Sequence, residues 1–294
     1  MVDLAVVTNA ETFERMRAPL GERGVSVQHV QVDERTLPLS PADAPFAPGD
    51  FDVGFVYPSR LMEGDVADAL LDVPWMNGRD AILTSRNKAG VLARLGQAGI
   101  PVPESVMVSN PVDESELADA FEHFDAPVVL KPNSTTRGVG VAKVGDLDSF
   151  LGVTDYLDLV HDYRATGDRS FLVQEYVPDA RDYRVMVLDG EYVGAVERRL
   201  PEPDREAGRW KHNVHRGATA TPVDLDAEYR RLAESVADAL DITFLGVDLL
   251  VDEDGGRVLV NETNARPTID DADKYEPGFY DRLADVIRTT AESG

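Results

Sequence analysis

Cysteine is absent from this 294-residue chain, which excludes disulfides, thiolate metal sites and cysteine nucleophiles and removes the residue that would report a redox compartment. Lysine is almost as scarce: Lys88, Lys131, Lys143, Lys211 and Lys274 are all of them, and arginine carries the remaining positive charge. With 54 acidic residues against 29 Lys and Arg, the formal net charge is −25. Such a chain repels nucleic-acid phosphates and anionic membranes, so neither is an expected partner. No stretch of about 18 apolar residues is present to span a membrane. The first residues, MVDLAVVTNAETF, lack the basic flank and apolar core of a signal peptide, which leads to the expectation of a cytoplasmic protein. Also missing are a Gly-Lys-Ser/Thr phosphate loop and, at the first strand-to-helix turn Thr8-Asn9-Ala10-Glu11, the glycines that a dinucleotide pyrophosphate needs.

What is present suits a globular protein of two or three compact units, given the length and the 43% hydrophobic content. Leu4 to Thr8, Val25 to Val32 and Phe51 to Tyr57 read as strands around a helix at 11–23, and a Pro- and Asp-rich loop, LPLSPADAPFAPGD, lies between them. A helix over 79–99 ends at Gly99, and Ile100-Pro101-Val102-Pro103 leaves it extended. Next come strands at 105–108, 128–132, 139–144 and 171–177, with helices at 113–124 and 146–160. Asp189-Gly190 and Asp254-Gly255-Gly256 sit between apolar runs as hairpin turns, and helices at 225–240 and 279–292 complete the chain. The expected class is α/β (α+β), in units 1–84, 85–176 and 177–294.

Four segments carry chemistry. In LGVDLLVDEDGGRVLVNETN, residues 245–264, a turn centred on Gly255 sets Asp248 opposite Glu262, and Asn264 shares their face. Opposed carboxylates need a cation between them, and this oxygen-only set suits Mg²⁺. VVLKPNSTTRGVGV, residues 128–141, carries Lys131 into a loop of small residues that can close on phosphate oxygens. FLVQEYVPDARDYRV, residues 171–185, reads as a hinge offering backbone groups of Glu175 and Val177 to an adenine edge and Asp182 to ribose hydroxyls. VERR (196–199) and RWKHNVHRG (209–217) gather scarce cations, as an anionic ligand requires.

In this order and spacing, LKP, QEYV, DYRV, VERR, KHNVHRG, GVDLL and NETN resemble the ATP-grasp superfamily, most closely its RimK-like α-L-glutamate ligase branch, from about Asn77 to the C-terminus. The resemblance implies an ATP-grasp fold, in which a small N-terminal α/β domain precedes two α+β subdomains that clasp ATP. It implies an ATP-dependent carboxylate–amine ligase working through an acyl phosphate, adding glutamate or another amino acid to a protein, carrier or coenzyme acceptor. By the same resemblance Lys88 and Lys131 contact ATP phosphates, Glu175, Tyr176 and Val177 hold adenine, and Asp182 contacts the nucleotide. Lys211, His212 and Asn213 line its phosphates, while Asp248, Glu262 and Asn264 hold two Mg²⁺ ions, with Mn²⁺ as a substitute. The related glutathione synthetase pattern implies that Arg184 and Arg199 stabilise the acyl-phosphate stage. The chain departs from the family at Ala265-Arg266-Pro267-Thr268, where Ala-Ser-Pro-Gly is usual, and Arg266 becomes a candidate for gripping the substrate carboxylate. A non-catalytic ATP-binding module is the alternative reading, and a homo-oligomer is left open.

The acidic, lysine-poor composition resembles that of proteins from extreme halophiles, whose hydrated surfaces rely on salt to screen self-repulsion. The expected outcome is a melting temperature that falls as ionic strength drops from molar to millimolar. A scanning calorimetry series in KCl checks it, and a flat series removes the halophilic reading.

Overall fold

The computed structural model describes the chain except residues 9, 41–42, 137 and 162–167, with the backbone alone described at 160–161. Parts of two expected loops, at 41–42 and 137, therefore lie outside the described residues.

The first unit is a parallel sheet, β1 (Val2–Val6), β2 (Val25–His29) and β3 (Val53–Phe55), in the order β2-β1-β3; α1 (Ala10–Gly21) connects β1 to β2, and α2 (Leu61–Leu71) follows β3. Leu4, Ala5 and Val6 are all fully buried, as befits a parallel strand covered on both faces. Next come α3 (Arg79–Arg86) and α4 (Lys88–Gln97). The expected single helix over 79–99 is thus two helices. Asn87 breaks it by leaving the helical conformation, and its side-chain oxygen accepts the Gly90 N–H at 2.9 Å as the N-cap of α4.

A four-stranded antiparallel sheet follows, built from β4 (Ser105–Ser109), β5 (Val128–Pro132), β6 (Ala142–Val144) and β7 (Ser170–Glu175) in the order β4-β7-β5-β6. Helices α5 (Glu114–Glu122) and α6 (Leu147–His161) close its core around Leu117, Leu130, Phe150 and Phe171. The last sheet contains β8 (Arg181–Leu188), β9 (Glu191–Arg199), β10 (Thr219–Pro222), β11 (Phe244–Asp252) and β12 (Arg257–Asn264), antiparallel in the order β10-β9-β8-β11-β12. A short α7 (Glu202–Glu206) precedes β10, α8 (Ala227–Leu240) packs beneath the sheet, and α9 (Phe279–Glu292) packs against β1, β3 and α1 of the parallel-sheet unit. Helix α8 buries Ala233, Val236, Ala237 and Leu240, the i, i+3, i+4, i+7 stripe of a surface helix.

One core joins the parallel sheet to the five-stranded sheet and includes Val91 and Leu95 of α4. Ile82 of α3 shares this core too, and the residues from β4 to β7 have a core of their own. Buried Asn77 rivets the two outer sheets. Its amide donates to Phe244 O (2.6 Å) and Ala265 O (2.7 Å) and accepts from Phe244 N (3.1 Å).

Two β-bulges set the faces of the five-stranded sheet. Asp189 and Gly190 take positive φ of 52° and 74°, the geometry of a tight two-residue hairpin turn, and Leu188 pairs with Glu191. Continued unbroken, that register would set Glu197 opposite Asp182. The register instead shifts between Met186 and Val187, Val193 becomes the extra residue, and Asp182 faces Arg198. The second hairpin repeats the device. Asp252 pairs with Arg257, one residue tighter than a turn centred on Gly255, and the shift at Asp248/Leu249 makes Asn261 the extra residue.

The first bulge depends on Gly194. Its φ is +153°, and a Cβ there would lie 2.3 Å from Lys274 O, while the bulged Val193 carbonyl accepts the Glu276 N–H at 2.8 Å. Gly194→Ala should therefore destabilise the fold by about 1–3 kcal/mol. Gly21→Ala, with nothing within 4 Å of the added Cβ, should be neutral or slightly stabilising. Denaturant unfolding of the two variants checks the pair, and equal midpoints would refute the role given to Gly194.

Candidate functional site

Between the four-stranded and five-stranded sheets lies a cleft of about 1350 Å³ that also reaches the parallel-sheet unit. Its floor is the face of the five-stranded sheet turned away from α8, and alternation along β8 puts Asp182 and Arg184 on that face. Arg184 forks onto its cross-strand partner Asp248, with Nε to Oδ1 at 2.7 Å and Nη2 to Oδ2 at 2.8 Å. From the neighbouring strand, Arg198 Nη2 reaches Asp248 Oδ2 at 2.9 Å and its Nε reaches Asp182 Oδ1 at 2.8 Å. The result is a row of alternating sign across three strands: Arg184, Asp248, Arg198, Asp182. His212 Nδ1 stands 3.6 Å from Asp182 at its far end. Burial works to raise the Asp248 pKa, but the charges and hydrogen bonds of Arg184 and Arg198 more than offset it and hold the carboxyl below its ordinary value. Arg198, also buried, has its pKa raised by Asp182 and Asp248 against the same desolvation.

Two lysines stand over the row. Lys88, which the break at Asn87 places at the start of α4, lies 3.6 Å from Glu262 Oε1 and donates to the carbonyls of Asn133 (3.3 Å) and Thr135. Lys131 on β5 donates to Asn261 Oδ1 at 2.7 Å and to Gln174 Oε1. Burial lowers the pKa of both, and neighbouring Glu262 resists the change; Lys131 is brought down to about 8.

The expected metal ligands lie on β11 and β12. Asp248 and Glu262 are direct cross-strand partners, and Asn264 also lines the cleft. Asp248 is committed to two guanidinium groups, and Asn264 Oδ1 accepts the Arg266 N–H at 2.9 Å. Among the described residues, no group of three His, Asp or Glu side chains could hold an ion. An oxygen-only set of this kind fits Mg²⁺ that keeps part of its shell on water and phosphate, and not a cage of protein ligands alone.

Of the remaining candidates, Glu175, Tyr176 and Val177 line the cleft where β7 passes to β8. The Glu175 N–H is already given to Glu104 O (3.0 Å), and its carboxylate holds Arg257 at 2.9 Å. Lys211 donates to Val141 O across the cleft, and Asn213 lies against Gly138. Arg266 lines the end next to the parallel sheet, with Nη2 3.2 Å from Thr8 Oγ1. Nearby, Asp270 and Asp271 are paired with Arg15, at 3.3 and 3.4 Å, and Asp270 also with Lys274 at 2.8 Å.

Arg199 is the exception. It is absent from the cleft, its side chain is 65% exposed, and it pairs with Glu197 at 2.7 Å on the opposite face. The bulge at Val193 is the cause: without it Arg199 would share a face with Asp182, and with it Arg198 takes that place. Arg198, Asn261 and Trp210 are cleft residues to which the sequence reading gave no role. The cation-rich motifs containing Arg198 and Trp210 were visible signals, whereas nothing local marks the bulge that turns Asn261 toward Lys131.

The RimK-like ATP-grasp domain matches residues 85–278. A probable α-L-glutamate ligase of Citrobacter koseri is 32% identical over 208 residues, which are 68% of this chain and 62% of that protein. The chain thus spans less than two thirds of the length of this relative. A RimK domain ATP-grasp protein from Sphaerobacter thermophilus shares the fold with a TM-score of 0.64 at 22% identity, covering 99% of this chain and 98% of that one. The ATP-grasp ligase PsnB, solved with a minimal precursor, Mg and ADP, has a TM-score of 0.64 at 16% identity, with 99% and 98% covered. With two clasping sheets, lysines above a cross-strand carboxylate pair and a domain match over 85–278, the chain belongs to the RimK-like ATP-grasp family.

Proposed function

We propose that this protein is an ADP-forming carboxylate–amine ligase that adds an amino acid, glutamate being the first candidate, to a carboxylate on a protein, carrier or coenzyme. The observation that carries the reading is Lys131. Its ammonium group is buried, and among the described residues its hydrogen bonds go to two neutral amide oxygens, Gln174 and Asn261. A buried cation that, among the described residues, touches no carboxylate directly is costly even with Glu262 nearby, and a nucleotide phosphate arriving beside Lys88 and Lys131 would supply a direct counter-charge. The glutamate ligase relative and the PsnB complex with Mg and ADP support the same direction.

In this reading the hinge at 175–177 receives adenine, and the substrate carboxylate lies over Arg184 near Arg266. A carboxylate oxygen attacks the γ-phosphorus and ADP leaves. The amine then attacks the acyl carbon, inorganic phosphate departs, and the ammonium proton goes to solvent. The chain's own work is to align the groups, exclude water and present fixed cations to the developing charge. Asp248, Glu262 and Asn264 would hold up to two Mg²⁺ ions, with Mn²⁺ as a substitute, which neutralise phosphate charge when bound.

The deciding experiment is ADP release with ATP and Mg²⁺ across amino acids and acceptor carboxylates. Release that never depends on both a carboxylate and an amine would sink the proposal. In that assay Arg198→Lys, which keeps the charge but loses the fork, should lower turnover about 10- to 100-fold, from a charge-assisted contact of about 1.5–3 kcal/mol. Arg199→Ala should stay within twofold, and the reverse order would return Arg199 to the site.

The depressed pKa of Lys131 gives a pH signature. Below about 8 the ammonium form prevails and attracts phosphate. As pH rises through that value the free protein loses the proton, so nucleotide affinity should fall by up to about tenfold per pH unit. Titration calorimetry between pH 7 and 9.5 checks this. Lys131→Gln should bind weakly with a flat profile, and an equally steep profile in that variant would assign the titration elsewhere.

A further inference from the structure

Lysine has been almost removed from this chain, yet four of the five, Lys88, Lys131, Lys211 and Lys274, line the cleft. The fifth, Lys143, reaches it through aromatic rings. It lies on β6, just beyond the small-residue loop, with Nζ 4.4 Å from the ring centre of Tyr176 and 5.6 Å from that of Trp210. The two rings meet edge to face at 5.9 Å. Tyr176 belongs to the hinge, and Trp210 to the segment between β9 and β10. Three otherwise separate parts of the fold meet at one ammonium group.

The 210–213 segment runs antiparallel along the loop and β6. Trp210 faces Lys143, Lys211 donates to the Val141 carbonyl, and the Asn213 side chain lies so close to Gly138 that a Cβ there would be 2.9 Å from its Oδ1. Each contact joins the central unit to the five-stranded unit across the mouth of the cleft. The contacts at Asn213 and Lys211 use groups that face the phosphates, so bound nucleotide can replace them. The contact at Lys143 uses no group facing the phosphates and can persist with the nucleotide in place.

We propose that Lys143, Tyr176 and Trp210 form a latch that holds the 210–213 strap over the nucleotide end of the cleft, so that nucleotide release waits for the latch to open. Lys143 is a positioning residue in this scheme. The latch rests on the reading that the cleft binds ATP.

A cation over an exposed aromatic face changes an equilibrium by about two- to fivefold, and here one cation faces two rings. Lys143→Met, which keeps the aliphatic stem and drops the charge, should speed dissociation of a fluorescent N-methylanthraniloyl ATP about three- to tenfold in stopped flow. Lys143→Arg should restore the slow rate, because a guanidinium also stacks on aromatic faces. Melting temperatures should stay level across the three proteins. Trp210→Ala, which also removes the ring under Lys211 Nζ at 5.5 Å, should speed release too, and adding Lys143→Met to it should give less than the product of the two single effects, since the Lys143–Trp210 contact is shared. Wild-type protein that binds no analogue would overturn both the ATP reading and the latch. Binding with an unchanged off-rate in Lys143→Met, or fully additive effects in the double variant, would overturn the latch alone.

Discussion

A carboxylate that is 4% exposed, Asp248 in the middle of β11 beside the central strand of a five-stranded sheet, is the constraint on which the rest of the site depends. Its charge is tolerated only because Arg184 and Arg198 close on it from one side of the sheet. Arg184 is there by simple cross-strand pairing. Arg198 is there because a bulge moves β9 by one residue, and that bulge in turn needs a glycine pressed against the backbone near Lys274. Once Arg198 is in place, Asp182 acquires its partner, and the alternating row extends toward His212. One buried charge thereby links a turn, a bulge, a glycine and three strands.

The cleft also reverses the electrostatics of the molecule. The chain carries −25 overall, yet Lys88, Lys131, Lys211, Arg184, Arg198 and Arg266 all converge on one cavity. A cationic cavity in an anionic shell concentrates the field where desolvation is greatest. Burial lowers the pKa of Lys88 and Lys131, so the two lysines are held in a state that an arriving phosphate relieves. Scarcity of lysine elsewhere makes this concentration conspicuous. Arginine, which keeps its proton when buried, is found where the charge must be permanent, in the row beneath.

Much of the architecture was legible because local patterns specify it. The apolar runs at 128–132 and 171–177, the stripe of α8 and the Asp-Gly turns each encode their element through neighbours a few residues away. The helix over 79–99 was misread at Asn87, where a side chain able to cap competes with the helix that its neighbours favour. The pairing of Asp248 with Glu262 is an instructive case. The expected register is the observed one, but the turn is one residue tighter than supposed, and the bulge at Asn261 makes up the difference. Arg199 and Arg198 show the same effect with the opposite outcome, for an unforeseen bulge exchanged their faces.

Most of the elements, the order of the cation-rich and carboxylate-bearing segments, and the residue types available to a phosphate-bearing ligand are written in the local sequence, whereas α2, α7, β10 and the break at Asn87 are not. The former follow from spacing along the chain, since helical and strand periodicities act over a few residues. Long-range packing settles which arginine of the 198–199 pair enters the cleft, that α3 and α4 join the outer core, and that Lys143 closes on Tyr176 and Trp210. Each of these depends on atoms far apart in sequence. Lys274 O sets the bulge of β9, the shared core claims α4, and ring contacts form only when two sheets face one another. A one-residue bulge costs little locally but inverts every side chain beyond it, so the face of a strand is settled by packing and not by pattern.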